Sequence, residues 1–247
     1  MDDITGSTLL VTGGSAGLGA ATAMLAAAAG ARVAILDVNE AQGRDTAARA
    51  NGKFYFFDAS RQDSWSGIVH QIEQDLGPVR FAHLNAGIMT QPLKAPLGPA
   101  RLEDVTLERF KAVMAVNVEG VFFGLQALIP RLIPRSGAIT VTGSAAGLVP
   151  IHFDPVYALT KHAVIGLVRS TALAYAARTI RINALCPGGF SSALLPQGVK
   201  TEATMTPEDV AREVLDLLLG GETGEVRVKL SKERTAERVD PPDFSLG

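Results

Sequence analysis

The chain has 247 residues, a formal net charge of −2 and 47% hydrophobic residues, enough apolar side chain for an extensive core. Near-neutral charge argues against a nucleic-acid surface, which would show as basic excess. The single cysteine, Cys186, excludes an intrachain disulfide and a cysteine-based zinc cluster, and is expected to be a small apolar residue of a buried strand.

Apolar periodicity alternates along the chain between short strand-like runs and helical stretches. Thr8–Val11 reads as the first strand, followed by a glycine-rich turn and an alanine-rich helix ending near Gly30. Arg32–Leu36 is the second strand, and a polar helix runs from Asn39 to about Asn51. Lys53–Phe57 is the third strand and Gln62–Leu76 a helix with Ile68, Val69, Ile72 and Leu76 on one face. Phe81–Leu84 follows as a strand, then an irregular segment with Pro92, Pro96 and Pro99. A long helix is expected from Leu107 to about Ile133, before the strand Ala138–Val141. A second long helix spans about Pro155 to Arg178, and Ile180–Leu185 is the next strand. Thr206-Pro207-Glu208-Asp209 carries an N-cap with proline at the first helical position, opening a helix to Leu219. Glu225–Leu230 is the last strand, and the charged tail after Ser231 is expected to be disordered or docked on a neighbour.

Strand and helix alternating throughout predicts a three-layer α/β Rossmann-type fold, with a seven-stranded parallel sheet covered by helices on both faces. No composition break divides the chain, so residues 1–247 are expected to be one domain. The acidic start, Met1-Asp2-Asp3, does not read as a signal peptide, and the apolar stretch Ala20–Ala31 is too short to span a bilayer. A cytoplasmic protein with neither membrane nor nucleic-acid partner is the expectation. His70, His83, His152 and His162 show no metal-ligand spacing, so no metal is expected.

The turn Thr12-Gly13-Gly14-Ser15-Ala16-Gly17-Leu18-Gly19 lies between the first strand and its helix. Glycines there admit positive φ and let backbone N–H groups approach a pyrophosphate at the helix N-terminus. Asp37 closes the second strand, where a carboxylate can accept both ribose hydroxyls of an adenosine and repel a 2′-phosphate. With no basic residue in the turn and Val38-Asn39 following, NAD is the expected dinucleotide. Asp58, with Ala59 beside it, could meet an adenine amino group or serve only structure.

Tyr157 and Lys161 share one face of the second long helix. A phenol ordinarily ionises near pH 10, and a neighbouring ammonium favours the phenolate, so this tyrosine could exchange a proton with an alcohol while hydride moves. Ser144 follows the strand Ala138–Val141 at the carboxyl end of the sheet, where its hydroxyl can hold a substrate oxygen. Asn117 interrupts an apolar helix face and is read as either a structural kink or part of a polar relay. Asn85-Ala86-Gly87 ends the fourth strand beside the expected crevice.

In these residues the chain resembles the short-chain dehydrogenases/reductases in their shorter, single-domain form, from Thr8 to about Leu230. Gly13, Gly17 and Gly19 match the family's TGxxxGxG, with Ser15, Ala16 and Leu18 in the same turn. Asn85-Ala86-Gly87 matches NNAG except that Leu84 replaces its first asparagine. Asn117, Ser144, Tyr157 and Lys161 match the catalytic tetrad. The resemblance implies that Ser144 anchors substrate, Tyr157 is the acid/base, Lys161 binds ribose and lowers the tyrosine pKa, and Asn117 holds a water on the proton path. It also places Pro187-Gly188 against the nicotinamide amide, with Phe190 close by and Ser192 where the family has threonine. Extended members differ in glycine spacing and are longer, which disfavours an epimerase.

Within the family, Ser144–Leu148, Pro155-Val156-Tyr157 and Ile182–Gly188 are similar to the hydroxyprostaglandin dehydrogenase branch. That branch is expected to carry glutamine three residues before the tyrosine, where this chain has Asp154. Candidate substrate contacts are therefore Ser144, Leu148, Asp154 and Tyr157, with Leu194, Leu195 and Met205 forming a short apolar lid. Both long helices read apolar nearly all round, implying a helix-packed homodimer or homotetramer. The competing class, a non-catalytic dinucleotide sensor, has no need of a proton-transfer triad.

Overall fold

The structure is a computed structural model that describes residues 3–91, 101–189 and 205–242. Seven parallel strands run β1 Thr8–Thr12, β2 Arg32–Asp37, β3 Lys53–Phe56, β4 Val79–Leu84, β5 Ala138–Thr142, β6 Arg181–Pro187 and β7 Val226–Lys229. Their order in the sheet is β3-β2-β1-β4-β5-β6-β7, so chain direction reverses across the sheet between β1 and β4. Beyond that switch the carboxyl ends of neighbouring strands diverge and open a crevice. All five residues of β1 are buried, as a central strand covered on both faces requires.

Side chains alternate between two cores. Leu10, Leu84, Ile139 and Ile182 face the helices α3 Gln62–Leu76, α5 Gly120–Leu132 and α6 Pro155–Ala174. Leu9, Val11, Phe81 and Leu185 face α1 Gly17–Ala28, α2 Glu40–Arg49 and α7 Pro207–Gly220. Trp65 proves to be a core residue, 2% exposed, its indole N–H donating to Ala59 O at 3.0 Å. Cys186 is wholly buried in β6. The cap of α7 is a reciprocal box between Thr206 and Asp209.

Two expectations are corrected. An eighth strand, β8 Glu237–Arg238, pairs antiparallel with β7, so the parallel set has one antiparallel member at its edge. The tail thus docks on its own chain: Val239 N–H donates to Val226 O at 2.7 Å, and the Arg169 guanidinium holds Val239 O at 2.7 Å. The helix expected to run unbroken from Leu107 is instead α4 Leu107–Met114, a π turn at Ala115–Glu119, and then α5.

The same run, Leu107–Arg135, is long and apolar enough to cross a membrane by composition alone, although Glu108, Arg109 and Lys111 hide it from a search for uncharged stretches. In the fold Val121, Leu125, Leu128 and Leu132 bury it against the sheet.

Candidate active site

The carboxyl ends of β1, β4, β5 and β6 meet at the crevice. Gly13 takes φ +63° beside β4, where a Cβ would sit 2.9 Å from Ala86 Cα. Gly19 is tighter, since a Cβ there would lie 2.2 Å from Gly13 O and 2.8 Å from Asn85 Nδ2. The turn can fold this closely only without those side chains.

Thr12 locks the turn to β4, its hydroxyl accepting Asn85 N–H at 3.0 Å and Ala86 N–H at 3.2 Å. The Asn85 amide returns two bonds, to Thr12 O and Gly13 O at 3.2 and 3.1 Å. No side chain caps α1 at Ala16, which leaves the N-terminal N–H groups of Gly17, Leu18 and Gly19 facing the turn as an anion site. Asp37 sits beside it, accepting Ser15 N–H at 3.0 Å through one oxygen and Asn39 N–H at 2.9 Å through the other. Each oxygen keeps a lone pair for a further donor. This cradle fits a dinucleotide.

Other cofactor candidates fall around the same crevice. Val38 is 58% exposed next to Asp37. Asp58 accepts both the N–H and the hydroxyl of Ser60, and Ala59 O takes the Trp65 indole, so both serve the local turn. Gly87 lies against the other functional groups, its Cβ position 3.4 Å from Asn117 Oδ1 and 3.6 Å from Lys161 Nζ. Gly188 follows Pro187 and is fixed by its N–H to Lys229 O at 2.8 Å. Phe190 and Ser192, like Leu194 and Leu195 of the expected lid, lie outside the described residues. Met205 is described, and is fully buried in the core beside α7.

Three elements, the π turn, a 3-10 turn after β5 and the start of α6, bring the tetrad residues together. Asn117, in the π turn and wholly buried, accepts Ile88 N–H at 2.8 Å and donates to Ile88 O at 2.9 Å and the Thr160 hydroxyl at 3.0 Å. Ser144 caps a short 3-10 turn, its hydroxyl accepting Ala146 N–H at 3.1 Å, and lies near enough to the Tyr157 phenol to favour its ionised form. Gly147 of that turn packs on α6, where a Cβ would strike Lys161 O at 2.6 Å. Lys161 is 4% exposed, its Nζ donating to Thr142 O at 2.8 Å and lying 5.6 Å from the centre of the Tyr157 ring.

The electrostatics follow from burial. Tyr157 is pushed up to about 12 by burial, a rise opposed by the nearby Ser144 hydroxyl and reinforced by the negative charge of Asp154. Burial carries Lys161 down to about 8. At neutral pH the phenol is therefore protonated, while Lys161 still carries its charge for the most part. A positive group brought beside the phenol would favour its ionisation.

Asp154 is a correction. The sequence reading set it toward substrate, but it is 1% exposed and its oxygens are taken by protein donors. It caps α6 by accepting Tyr157 N–H at 2.9 Å, and it accepts the N–H and hydroxyl of Thr90 at 2.8 and 2.5 Å. An aspartate just before a proline is a helix-start signal, and that role has absorbed the carboxylate. Leu148 stays half-buried after the 3-10 turn, packed against the core.

Sequence reasoning missed several supporting residues. Thr142 is a hub, its carbonyl on Lys161 and its hydroxyl donating to Asn85 Oδ1 at 3.1 Å while meeting His83 Nε2 at 2.8 Å. Since Thr142 donates to Asn85, His83 must donate through Nε2, and burial, driving the imidazole down to about 3, keeps it neutral. Single hydroxyls in apolar strands gave no signal beyond their parity. No group of three or more metal-ligating side chains exists among the described residues.

The sequence as a whole is similar to those of known proteins. The family model for short chain dehydrogenase matches residues 7–203. A 2,5-dichloro-2,5-cyclohexadiene-1,4-diol dehydrogenase of Sphingobium indicum is 36% identical over 211 residues, covering 84% of this chain and 82% of its own. A 2-(S)-hydroxypropyl-CoM dehydrogenase of Xanthobacter autotrophicus is 31% identical over 85% of this chain and 88% of its own. A 3-beta-hydroxysteroid dehydrogenase of Comamonas testosteroni is 31% identical over 82% of this chain and 80% of its own. A match of this extent, joined to the glycine turn and the Ser144, Tyr157 and Lys161 cluster, places the chain in the short-chain dehydrogenase family.

Proposed function

We propose that this oxidoreductase is NAD(H)-dependent, acts on a secondary alcohol or ketone, and uses Tyr157 as its general acid/base. The observation that supports the reading is the gathering of Ser144, Tyr157 and Lys161 at the carboxyl edge of the sheet, with Lys161 Nζ 5.6 Å from the centre of the tyrosine ring. When bound, NAD supplies the hydride acceptor and a positive ring beside the phenol.

The chain's own residues do the rest. Ser144 holds the substrate oxygen against Tyr157, which takes the hydroxyl proton in oxidation and returns it to a carbonyl in reduction. Lys161, held by Thr142 O, supplies positive charge that favours the phenolate and reaches toward the ribose. Asn117 keeps Ile88 and the segment after β4 in place beside the crevice and lines the path by which a proton leaves. Leu148 offers an apolar wall for the substrate. Two of the relatives take hydroxyls borne on rings, by their names, so alicyclic secondary alcohols are the first substrates to try.

The wild-type chain should reduce NAD⁺ in preference to NADP⁺ with such alcohols, read as absorbance of the reduced nicotinamide. Asp37→Ala should weaken NAD⁺ by about 1.5–3 kcal/mol, roughly tenfold to a hundredfold, and narrow the preference, because hydrogen bonds from ribose to a carboxylate are lost. A wild type that prefers NADP⁺ overturns the role of Asp37. Dinucleotide binding without turnover of any alcohol or ketone would instead favour a sensor.

A homo-oligomer is part of the proposal. Helices α4, α5 and α6 leave Leu107 (60% exposed), Phe122 (46%) and Leu159 (49%) on the surface, and an apolar groove of about 450 Å³ separates the start of α4 from that of α6. Large exposed apolar side chains clustered on neighbouring helices suit a second copy. Light scattering at micromolar concentration should give a dimer or tetramer; a stable monomer removes this part of the proposal.

A further inference from the structure

A helix cap needs no charge. Serine, threonine or asparagine would take the Tyr157 N–H as well as aspartate does. Asp154 nevertheless buries a carboxylate, 1% exposed, at the cap of the catalytic helix, and burying a charge is costly unless donors surround it. Three donors do so, and two of them come from a different part of the chain: the N–H and hydroxyl of Thr90, at 2.8 and 2.5 Å.

Thr90 belongs to the segment that leaves β4 and borders the crevice. The Arg109 guanidinium, reaching over from α4, donates to Thr90 O at 2.7 Å and to Met89 O. Asn117 holds Ile88 through both its N–H and its carbonyl. Residues 88–90 are thus gripped by an amide, a guanidinium and a carboxylate in succession, and the carboxylate is the one that also touches the helix bearing the phenol.

We propose that Asp154 is a positioning residue for Tyr157: its buried carboxylate clasps Thr90 to the start of α6 and sets its negative charge against the backbone N–H of the tyrosine. The inference rests on Tyr157 being the acid/base. Among the described residues, the titratable groups facing the phenol are Asp154 from the cap, Lys161 from one turn along α6 and the Cys186 thiol from β6, with Arg109 arriving on the far side of Thr90. Asp154 is the one permanent negative charge of this set, and its field opposes that of Lys161. Burial and the Asp154 charge together keep the phenol protonated until a further cationic group enters the crevice.

The sign is testable by two substitutions with opposite effects. Asp154→Asn removes the negative charge, so the phenolate becomes easier to form and the Tyr157 midpoint should fall by about half a pH unit or more. Thr90→Val keeps the charge but removes a donor that balances it, so the midpoint should rise. The measurement is ultraviolet difference absorbance of the phenolate in the full chain with NAD⁺ bound. Only Tyr55, Tyr157 and Tyr175 contribute, and Tyr157→Phe identifies the relevant share. The low-pH limb of alcohol oxidation should move with the same sign in each variant.

A purely structural clasp would lower the rate in both variants and leave the midpoint where it was. An unmoved midpoint in either variant, or a shift of one sign in both, overturns the proposal. If Asp154→Asn does not fold, Thr90→Val decides alone: a raised midpoint supports the clasp and any other result overturns it. The absorbance titration needs no turnover, so its outcome is separate from whether Tyr157 is the acid/base.

Discussion

Replacing Tyr157 by phenylalanine should stop alcohol oxidation while leaving dinucleotide binding within a few-fold of the wild type. In the proposed function the hydroxyl removed exchanges the proton with substrate, and general acid/base catalysis of this kind contributes on the order of 10²–10⁴-fold. The ring remains, half-buried on α6, so the fold has no reason to fail. Lys161 keeps its hold on Thr142 O and therefore its place beside the crevice. Steady-state rates of NADH formation and fluorescence titration with NADH separate the two effects. Turnover retained to within tenfold would show that the proton goes elsewhere.

The second large effect is expected from Gly19→Ala. The new methyl would stand 2.2 Å from Gly13 O and 2.8 Å from Asn85 Nδ2, and both are parts of one hydrogen-bonded lock between the glycine turn and β4. Backbone on both sides must shift, at a cost of roughly 1–3 kcal/mol in stability. The turn then no longer presents its N–H groups to a pyrophosphate, so dinucleotide affinity should drop by tenfold or more. A control lies in the same fold: Gly67, in α3, has open space where its Cβ would go. Gly67→Ala should be neutral or stabilising by roughly 0.4–1 kcal/mol, since it only restricts the unfolded chain. Thermal melting and cofactor titration of both variants decide the matter. Equal behaviour would mean that the close approach at Gly19 is relaxed without consequence.

Much of this architecture is legible in the residues because it rests on period and parity. The seven parallel strands and the helix Gln62–Leu76 follow from runs of buried side chains that pattern reading detects directly. Strand β8 does not, because Glu237 and Arg238 are two charged residues held by backbone bonds to β7, with no periodic face to reveal them. The π turn is equally silent: Ala115–Glu119 is good helix sequence, and only the buried amide of Asn117 marks it.

The candidate site divides in the same way. Residues whose chemistry is unusual for their position, such as Asn117 in an apolar helix or glycines before one, stand out. Residues that act by completing a bond across the sheet do not. Thr12 and Thr142 look like ordinary strand hydroxyls until their partners on β4 are known. From the sequence Asp154 reads only as a polar group near the tyrosine, and its role as the cap before Pro155 emerges once Tyr157 N–H and Thr90 are seen on its oxygens.

The π turn has a consequence for length. It holds one residue more than a regular helix would need over the same rise, and that surplus lets Asn117 reach Ile88 while α4 and α5 each keep their own face to the protein. Deleting one residue there would restore ordinary winding with Leu107–Met114 and Gly120–Leu132 still in phase, and would withdraw the Asn117 amide from Ile88. Arg109 would keep its place by Thr90 and Met89, so residues 88–90 would lose one of their three holds and keep the other two. The surplus residue thus serves the amide of Asn117 and the segment after β4, and not the seating of the two helices.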